Sequence, residues 1–201
     1  YWIEPNKLFK ATLEKMLPAI KEVGYVGYID INCIVNHRGI YPLEFTCRFG
    51  YPTIPIQLEG ITMPAGEWLY KMAAGENFPL KTRRGFQIGI RILVPSYFSE
   101  RKDSEYVTSF RDLAVAFRNP AIKEGIHIED VRNDSGTWRV AGVSGVVLVV
   151  TASGTTVDEA RRLVYNRVSN IMIPNMFYRT DIGGKWPIDS DRLHTWGYLD
   201  P

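Results

Sequence analysis

Residues 30–50 read DINCIVNHRGIYPLEFTCRFG, and they carry the clearest structural signal in the chain. Residues 36–39 are Asn-His-Arg-Gly, and asparagine and glycine both suit a tight turn because they tolerate a positive φ. The runs on either side, 25–35 and 40–49, contain many β-branched and aromatic residues. The sequence therefore predicts an antiparallel β-hairpin.

Polar and apolar residues alternate along both predicted strands. Successive side chains of a strand point to opposite faces, so residues two apart share a face. One face is predicted to be polar and to hold Asp30, Asn32, Glu44, Thr46 and Arg48. The other face is predicted to point into the core and to hold Ile29, Ile31, Leu43, Phe45 and Phe49.

The polar face has two interpretations. Two carboxylates on adjacent strands suit a Mg²⁺–nucleotide site, because Mg²⁺ takes one or two carboxylate ligands and completes its shell with phosphates and water. A nearby arginine can neutralise charge on a transferring phosphoryl group. The same alternation is typical of the solvated face of a half-exposed hairpin, with Glu44 and Arg48 as a weak surface ion pair. The pattern alone leaves both interpretations open.

Helical and strand patterns alternate along the rest of the chain. The predicted elements are a helix from Asn6 to Gly24, a loop over 51–55, a helix over 61–74, strands over 86–94 and 146–151, and a long helix that begins with a capping box at Thr156 and Glu159. This order predicts an α+β fold with two subdomains that join near residue 82.

The composition excludes several classes of protein. The 201 residues are 45% hydrophobic and 23% charged, which is ordinary globular usage, and a net charge of +2 does not indicate a nucleic-acid partner. The uncharged run 140–157 is interrupted by glycine, serine and threonine, so it predicts a buried strand and no membrane span. We see no signal peptide. Cys33 and Cys47 are predicted to be reduced thiols, Cys47 buried, and the location cytoplasmic.

Three segments resemble motifs of one enzyme family. Residues 42–52, PLEFTCRFGYP, are similar to the E-F-N-x-R-F-G-D-P-E signature of phosphoribosylamine–glycine ligase, the glycinamide ribonucleotide synthetase of purine biosynthesis. Residues 147–161 resemble the strand–turn–helix near the C-terminus of that family. Residues 178–183, YRTDIG, resemble its R-x-D-I-G ending. For Arg179 and Asp181, a structural ion pair and a contact with substrate are both open interpretations. The segments follow the family's order.

This resemblance implies the C-terminal half of an ATP-grasp ligase. Residues 1–82 would be the C-terminal part of the ATP-grasp domain, with an antiparallel hairpin plus helices. Residues 83–201 would be a small mixed α/β C-terminal capping domain with a tail. The implied cofactors are ATP and Mg²⁺ (or Mn²⁺), and the implied substrates are glycine and phosphoribosylamine, joined through an acyl phosphate. The N-terminal half of the same enzyme is the implied partner.

The resemblance also implies roles for individual hairpin residues. Glu44 matches the family's metal-binding glutamate, and Asp30 matches an earlier acidic ligand of ATP-grasp enzymes. Thr46 stands at a metal-binding position and is the third implied ligand. Arg48 matches the arginine near the phosphates and is the implied catalytic residue. Leu43 occupies the position of an apolar side chain against the adenine, so Leu43 and Glu44 are the implied nucleotide-binding residues.

Some positions depart from the family's pattern. Thr46 replaces an asparagine, so Asn32 or water is an alternative source of that ligand. Tyr51 and Thr53 replace an acidic pair. These departures keep two alternatives open: an ATP-grasp ligase for a different carboxylate and amine, and a non-catalytic binding module on the same fold.

Overall fold

The computed structural model describes residues 5–98 and 104–200, and it divides the chain into two compact units. The first, the hairpin unit, comprises Tyr1–Tyr51, Met63–Lys81 and Gly184–Pro201. The second, the sheet unit, comprises Pro52–Thr62 and Thr82–Gly183. These units are interleaved along the chain and so differ from the continuous predicted domains 1–82 and 83–201. The division into those two family domains stays a prediction.

The described residues form seven α-helices and nine strands, and the strands between residues 114 and 154 follow one another with no helix between them. The helices are α1 (Lys7–Ala11), α2 (Leu13–Glu22), α3 (Thr53–Gly60), α4 (Ala65–Ala73), α5 (Ser104–Thr108), α6 (Val157–Ser169) and α7 (Trp186–Thr195). The strands are β1 (Asp30–Asn36), β2 (Gly39–Thr46), β3 (Phe86–Leu93), β4 (Ala114–Phe117), β5 (Ile126–Ile128), β6 (Val131–Asp134), β7 (Thr137–Val140), β8 (Val146–Gly154) and β9 (Ile171–Met172).

The hairpin unit begins with two helices where the sequence predicts one. Asn6 caps α1 as predicted, because its Oδ1 accepts a hydrogen bond from the Phe9 amide at 3.0 Å. The backbone of Thr12 leaves the helical region at φ −123° and ψ −92°, which separates α1 from α2. Gly24 follows α2 with φ +64°, a conformation that favours glycine.

The predicted antiparallel hairpin forms from β1 and β2. Its turn is closed by Asn36, whose Oδ1 accepts from the amides of Arg38 at 2.8 Å and Gly39 at 3.2 Å. The C-terminal residues return to the same unit, since the Tyr198 hydroxyl donates to the Asn36 carbonyl at 3.2 Å. The carbonyl of Asp200 likewise accepts from the amide at the start of α1, at 3.0 Å.

The sheet unit contains two antiparallel sheets. One has the strand order β3-β8-β5, and the other has the order β6-β7-β4-β9. Residues 146–152 of β8 are all buried, because α6 covers one face of the strand and α3 the other. The approach of α3 requires a glycine in β3: a Cβ at Gly89 would lie 2.6 Å from the Ile56 side chain.

The structure confirms the two long predicted strands, as β3 and β8, and the long helix after the capping box, as α6. The predicted loop over 51–55 is wrong in its second half, where α3 begins at Thr53. Within residues 5–98 and 104–200, no helix combines the length and the hydropathy of a membrane span.

Candidate functional site in the hairpin unit

The four polar strand residues lie on one face of the hairpin. In the register, Asp30 is opposite Thr46 and Asn32 is opposite Glu44, and directly opposed residues of an antiparallel pair share a face. Asn32 and Glu44 are exposed, whereas Asp30 and Thr46 are half-buried. The carboxylates of Asp30 and Glu44 are diagonal neighbours, a relation in which long side chains lie within reach of each other.

One hydrogen bond joins two of these side chains. The Asn32 amide nitrogen, Nδ2, donates to Glu44 Oε1 at 3.1 Å. The register of the hairpin shifts between Asn32 and Cys33, so Leu43 is the extra residue of a bulge beside Glu44. Bulges bend a strand and redirect side chains, and they are frequent next to active sites.

Arg48 lies beyond the end of β2, in a segment that aromatic contacts hold in place. Its guanidinium is exposed, and Nη1 donates to the neighbouring Phe49 carbonyl at 3.0 Å. The Phe49 ring packs between Tyr28, at 5.0 Å between ring centroids, and the buried Trp68, at 5.6 Å. The Tyr25 hydroxyl contacts the Cys47 carbonyl at 3.4 Å. The Arg48 side chain is therefore exposed to solvent, while contacts of its two neighbours hold the backbone in place.

The apolar face of the hairpin is more exposed than the sequence predicts. Leu43 is 63% exposed and Phe45 is 45% exposed, although both were expected to face the core. Cys47, expected to be buried, is exposed as well. In the described part of the chain the hairpin is a sheet of two strands only, so neither of its edges pairs with a third strand. The exposure of Leu43 leaves it accessible to a ligand.

The donors on the polar face suit a hard cation. They are two carboxylates, a hydroxyl and an amide, all oxygen-bearing groups of the kind that Mg²⁺ prefers. Among the described residues, no group of three or more His, Cys, Asp or Glu side chains could hold a metal ion alone. The oxygen donors of this face would suit an ion whose other ligands come from a phosphate-bearing molecule and water.

The sheet unit also contains a largely buried polar cluster that no sequence motif indicates. Glu59 of α3 accepts from the hydroxyls of Thr151 at 2.8 Å and Ser153 at 3.0 Å, both on β8. His127 Nε2 contacts the same Thr151 hydroxyl at 2.9 Å, and Arg167 Nη1 lies 3.7 Å from Glu59. Burial lowers the pKa of His127, while the charge of Glu59 acts in the opposite direction. Thr151 is fully buried, so we interpret the cluster as a tether between α3 and the sheet.

The third family-like segment, residues 178–183, forms an ion pair at the surface of the sheet unit. Arg179 Nε donates to Asp181 Oδ1 at 2.9 Å, and this pairing raises the pKa of the Arg179 guanidinium. The Tyr165 hydroxyl of α6 donates to the Arg179 carbonyl at 2.9 Å, and Arg161 Nε donates to the Ile182 carbonyl at the same distance. Helix α6 therefore holds this segment in place, and the ion pair remains exposed.

Solved structures that are similar over most of this chain indicate the class of its fold. The biotin carboxylase subunit of pyruvate carboxylase is similar over 98% of this chain and 43% of its own, with a TM-score of 0.57 and 17% identity. The biotin carboxylase domain of the Hydrogenobacter thermophilus 2-oxoglutarate carboxylase, solved in complex with MgADP, has a TM-score of 0.56. The chain therefore shares the fold of about two fifths of each of these two chains.

The particular resemblance is to phosphoribosylamine–glycine ligase, as the sequence motifs predict. The Thermotoga maritima enzyme matches 87% of this chain and 42% of its own, with a TM-score of 0.67 and 22% identity. The Mycobacterium tuberculosis enzyme is 24% identical over 191 residues, and the Leifsonia xyli enzyme 27% over 168. Residues 119–185 match the family model for the phosphoribosylglycinamide synthetase C domain. The chain spans about two fifths of the length of these relatives.

Proposed function

We propose that this chain is the C-terminal part of an ATP-dependent ligase that joins glycine to phosphoribosylamine in purine biosynthesis. The observation that carries the proposal is the polar face of the hairpin, where Asp30, Glu44 and Thr46 lie together and Arg48 follows. The match of residues 119–185 to the synthetase C domain, and the relatives of the same name, support the choice of substrates. The proposed partner is the N-terminal half of the same enzyme, in the cytoplasm.

The proposed cofactors are ATP and Mg²⁺ or Mn²⁺. Asp30 and Glu44 would hold the ion through their carboxylates, with the Thr46 hydroxyl as a weaker third donor. The ion, when bound, neutralises negative charge on the phosphates. The exposed Leu43 side chain offers an apolar surface beside Glu44 for the adenine ring. The neighbour that was solved with MgADP has the same fold, which supports this assignment.

The proposed reaction has two steps. The glycine carboxylate attacks the γ-phosphate of ATP, which forms an acyl phosphate and releases ADP. The amine of phosphoribosylamine then attacks the acyl carbon, the amide bond forms and phosphate leaves. Arg48 stabilises the charge on the transferring phosphoryl group, a role that suits a guanidinium because it stays charged and forms paired hydrogen bonds with phosphate oxygens. Its anchored backbone limits the cost of orienting it.

The test is phosphate release by the full-length gene product with ATP, Mg²⁺, glycine and phosphoribosylamine. Glu44→Gln and Asp30→Asn remove one carboxylate charge each while they preserve shape. We expect E44Q to lower turnover by about a hundredfold or more, and D30N by less, because removal of one electrostatic contact to the transition state has effects of this size. Glu67→Gln, an exposed glutamate on α4 of the same unit, is the matched control.

The outcomes separate the proposal from its alternatives. Release that requires both substrates and is lost in E44Q supports the ligase. Release that requires a different carboxylate and amine keeps the chemistry and changes the substrates. Nucleotide binding without release under any condition supports a non-catalytic binding module. If E44Q and D30N match the wild-type protein in turnover, the metal assignment is wrong.

A further inference from the structure

Asn32 is a polar residue of the hairpin to which the proposed function gives no role. It lies directly opposite Glu44, and its Nδ2 donates to Glu44 Oε1 at 3.1 Å. A carboxylate has two oxygens, and an amide donor on one of them fixes the side-chain torsion that sets the direction of the other. Oε2 of Glu44 takes no part in this hydrogen bond.

The surroundings of Glu44 make this hydrogen bond more important for the orientation of its carboxylate. The register shift between Asn32 and Cys33 interrupts the regular ladder next to the Asn32–Glu44 pair. Glu44 is exposed, so packing against neighbouring side chains does little to select its rotamer. The amide of Asn32 is thus the contact that orients the carboxylate in the described structure. Its neutrality also matters, because a third carboxylate beside Asp30 and Glu44 would add like-charge repulsion.

We infer that Asn32 is a positioning residue for the cation site: it holds Oε1 of Glu44 so that Oε2 is directed toward a divalent cation. This inference rests on the proposed function, since it assumes that Glu44 is a ligand. Groups that hydrogen-bond to metal ligands commonly contribute about ten- to hundredfold to metal affinity. The Asn32–Glu44 pair is solvated, so we expect the lower end of that range.

The test is Mn²⁺ binding by the full-length gene product in the presence of ADP, with free Mn²⁺ measured by electron paramagnetic resonance. We expect Asn32→Ala to weaken Mn²⁺ binding by about tenfold. ADP affinity without metal and the thermal unfolding temperature should stay at their wild-type values, because a purely structural defect would move them too. Asn166→Ala removes an exposed asparagine from α6 and is the matched control.

A double-mutant cycle identifies the route by which Asn32 acts. If it acts through Glu44, Asn32→Ala has no further effect on Mn²⁺ affinity in a protein that already carries Glu44→Gln. An equal loss in both backgrounds would overturn the inference, and so would Mn²⁺ affinity within twofold of the wild-type value in N32A. Failure of the wild-type protein to bind Mn²⁺ with ADP would instead count against the proposed function and its metal site as a whole.

Discussion

The environment of Glu129 strongly alters its acidity. It follows β5, and partial burial, reinforced by the negative charge of Asp130, raises its pKa to about 7. The native state therefore holds a proton between pH 4.5 and about 7 that the unfolded chain releases. Its stabilising contribution is complete below pH 4.5 and is lost as the pH rises through about 7.

Glu129→Gln should remove this pH dependence. We expect the free energy of unfolding of the wild-type chain to fall relative to that of E129Q as the pH rises from about 5 to about 8. Urea unfolding at several pH values measures the difference. Glu105→Gln, an exposed glutamate of α5 in the same unit, serves as the control. Parallel pH profiles for E129Q and the wild-type chain would show that Glu129 titrates outside this range.

Single residues also show where sequence reasoning succeeds and where it stops. Period-two alternation and the Asn-His-Arg-Gly turn place Asp30 and Glu44 on one face, because both rules depend on local geometry alone. The contact of Glu59 with Thr151 joins residues 92 positions apart, and nothing in local spacing indicates it. The roles assigned to Glu44, Asp30, Thr46, Leu43 and Arg48 stay predictions, since the geometry is compatible with them but does not test them.

Among the elements, α6 has the most complete start signal. The hydroxyl of Thr156 accepts from the Glu159 amide at 3.1 Å, as the capping box predicts. The Glu159 carboxylate instead accepts from the amide and hydroxyl of Thr155, one residue before the cap, and these hydrogen bonds lower its pKa. The helix therefore begins where predicted. The second hydrogen bond of the capping box, however, comes from the Thr155 amide and not from the Thr156 amide.

Removal of the Thr156 cap should lower the stability of the sheet unit. We expect Thr156→Ala to lower the free energy of unfolding by about 1 kcal/mol, because the Glu159 amide loses its acceptor. Thr156→Ser keeps the hydroxyl and should stay within a few tenths of a kcal/mol of the wild-type value. Urea unfolding followed by circular dichroism distinguishes the two. Equal stability of the alanine and serine variants would show that solvent replaces the cap.

Helix α3 shows why prolines can lead to the prediction of a loop where a helix forms. Prolines at positions 52 and 55 favour a loop in a sequence pattern, yet α3 begins at Thr53. Pro55 falls in the first turn, where backbone amides have no partner within the helix, so its missing N–H costs little. Close packing of Ile56 against Gly89 then stabilises the helix from the sheet side. Tertiary packing, which is invisible in a short window, determines this element.

At the scale of the whole molecule, the apolar face of the hairpin is exposed in the described part of the chain. A two-stranded hairpin is marginal by itself, and on this face Leu43 is 63% exposed and Phe45 is 45% exposed. Alternation predicts that these side chains face a core, whereas within residues 5–98 and 104–200 they are exposed. The chain spans about two fifths of its relatives, so the cover we propose is the N-terminal half of the same enzyme.

Phe45 gives this proposal a measurable consequence. In the 201-residue chain, Phe45→Thr should change the free energy of unfolding by no more than about 1 kcal/mol, because the ring is 45% exposed. In the full-length gene product the same substitution should cost about 3 kcal/mol, since a covered ring leaves a cavity when it is removed. Ile188→Thr, at a 60% exposed position on α7, should have the same small effect in both. If F45T costs the same in the two proteins, the proposed N-terminal half does not pack on this face. The apolar side of the hairpin would then face solvent or ligand in the full-length gene product as well.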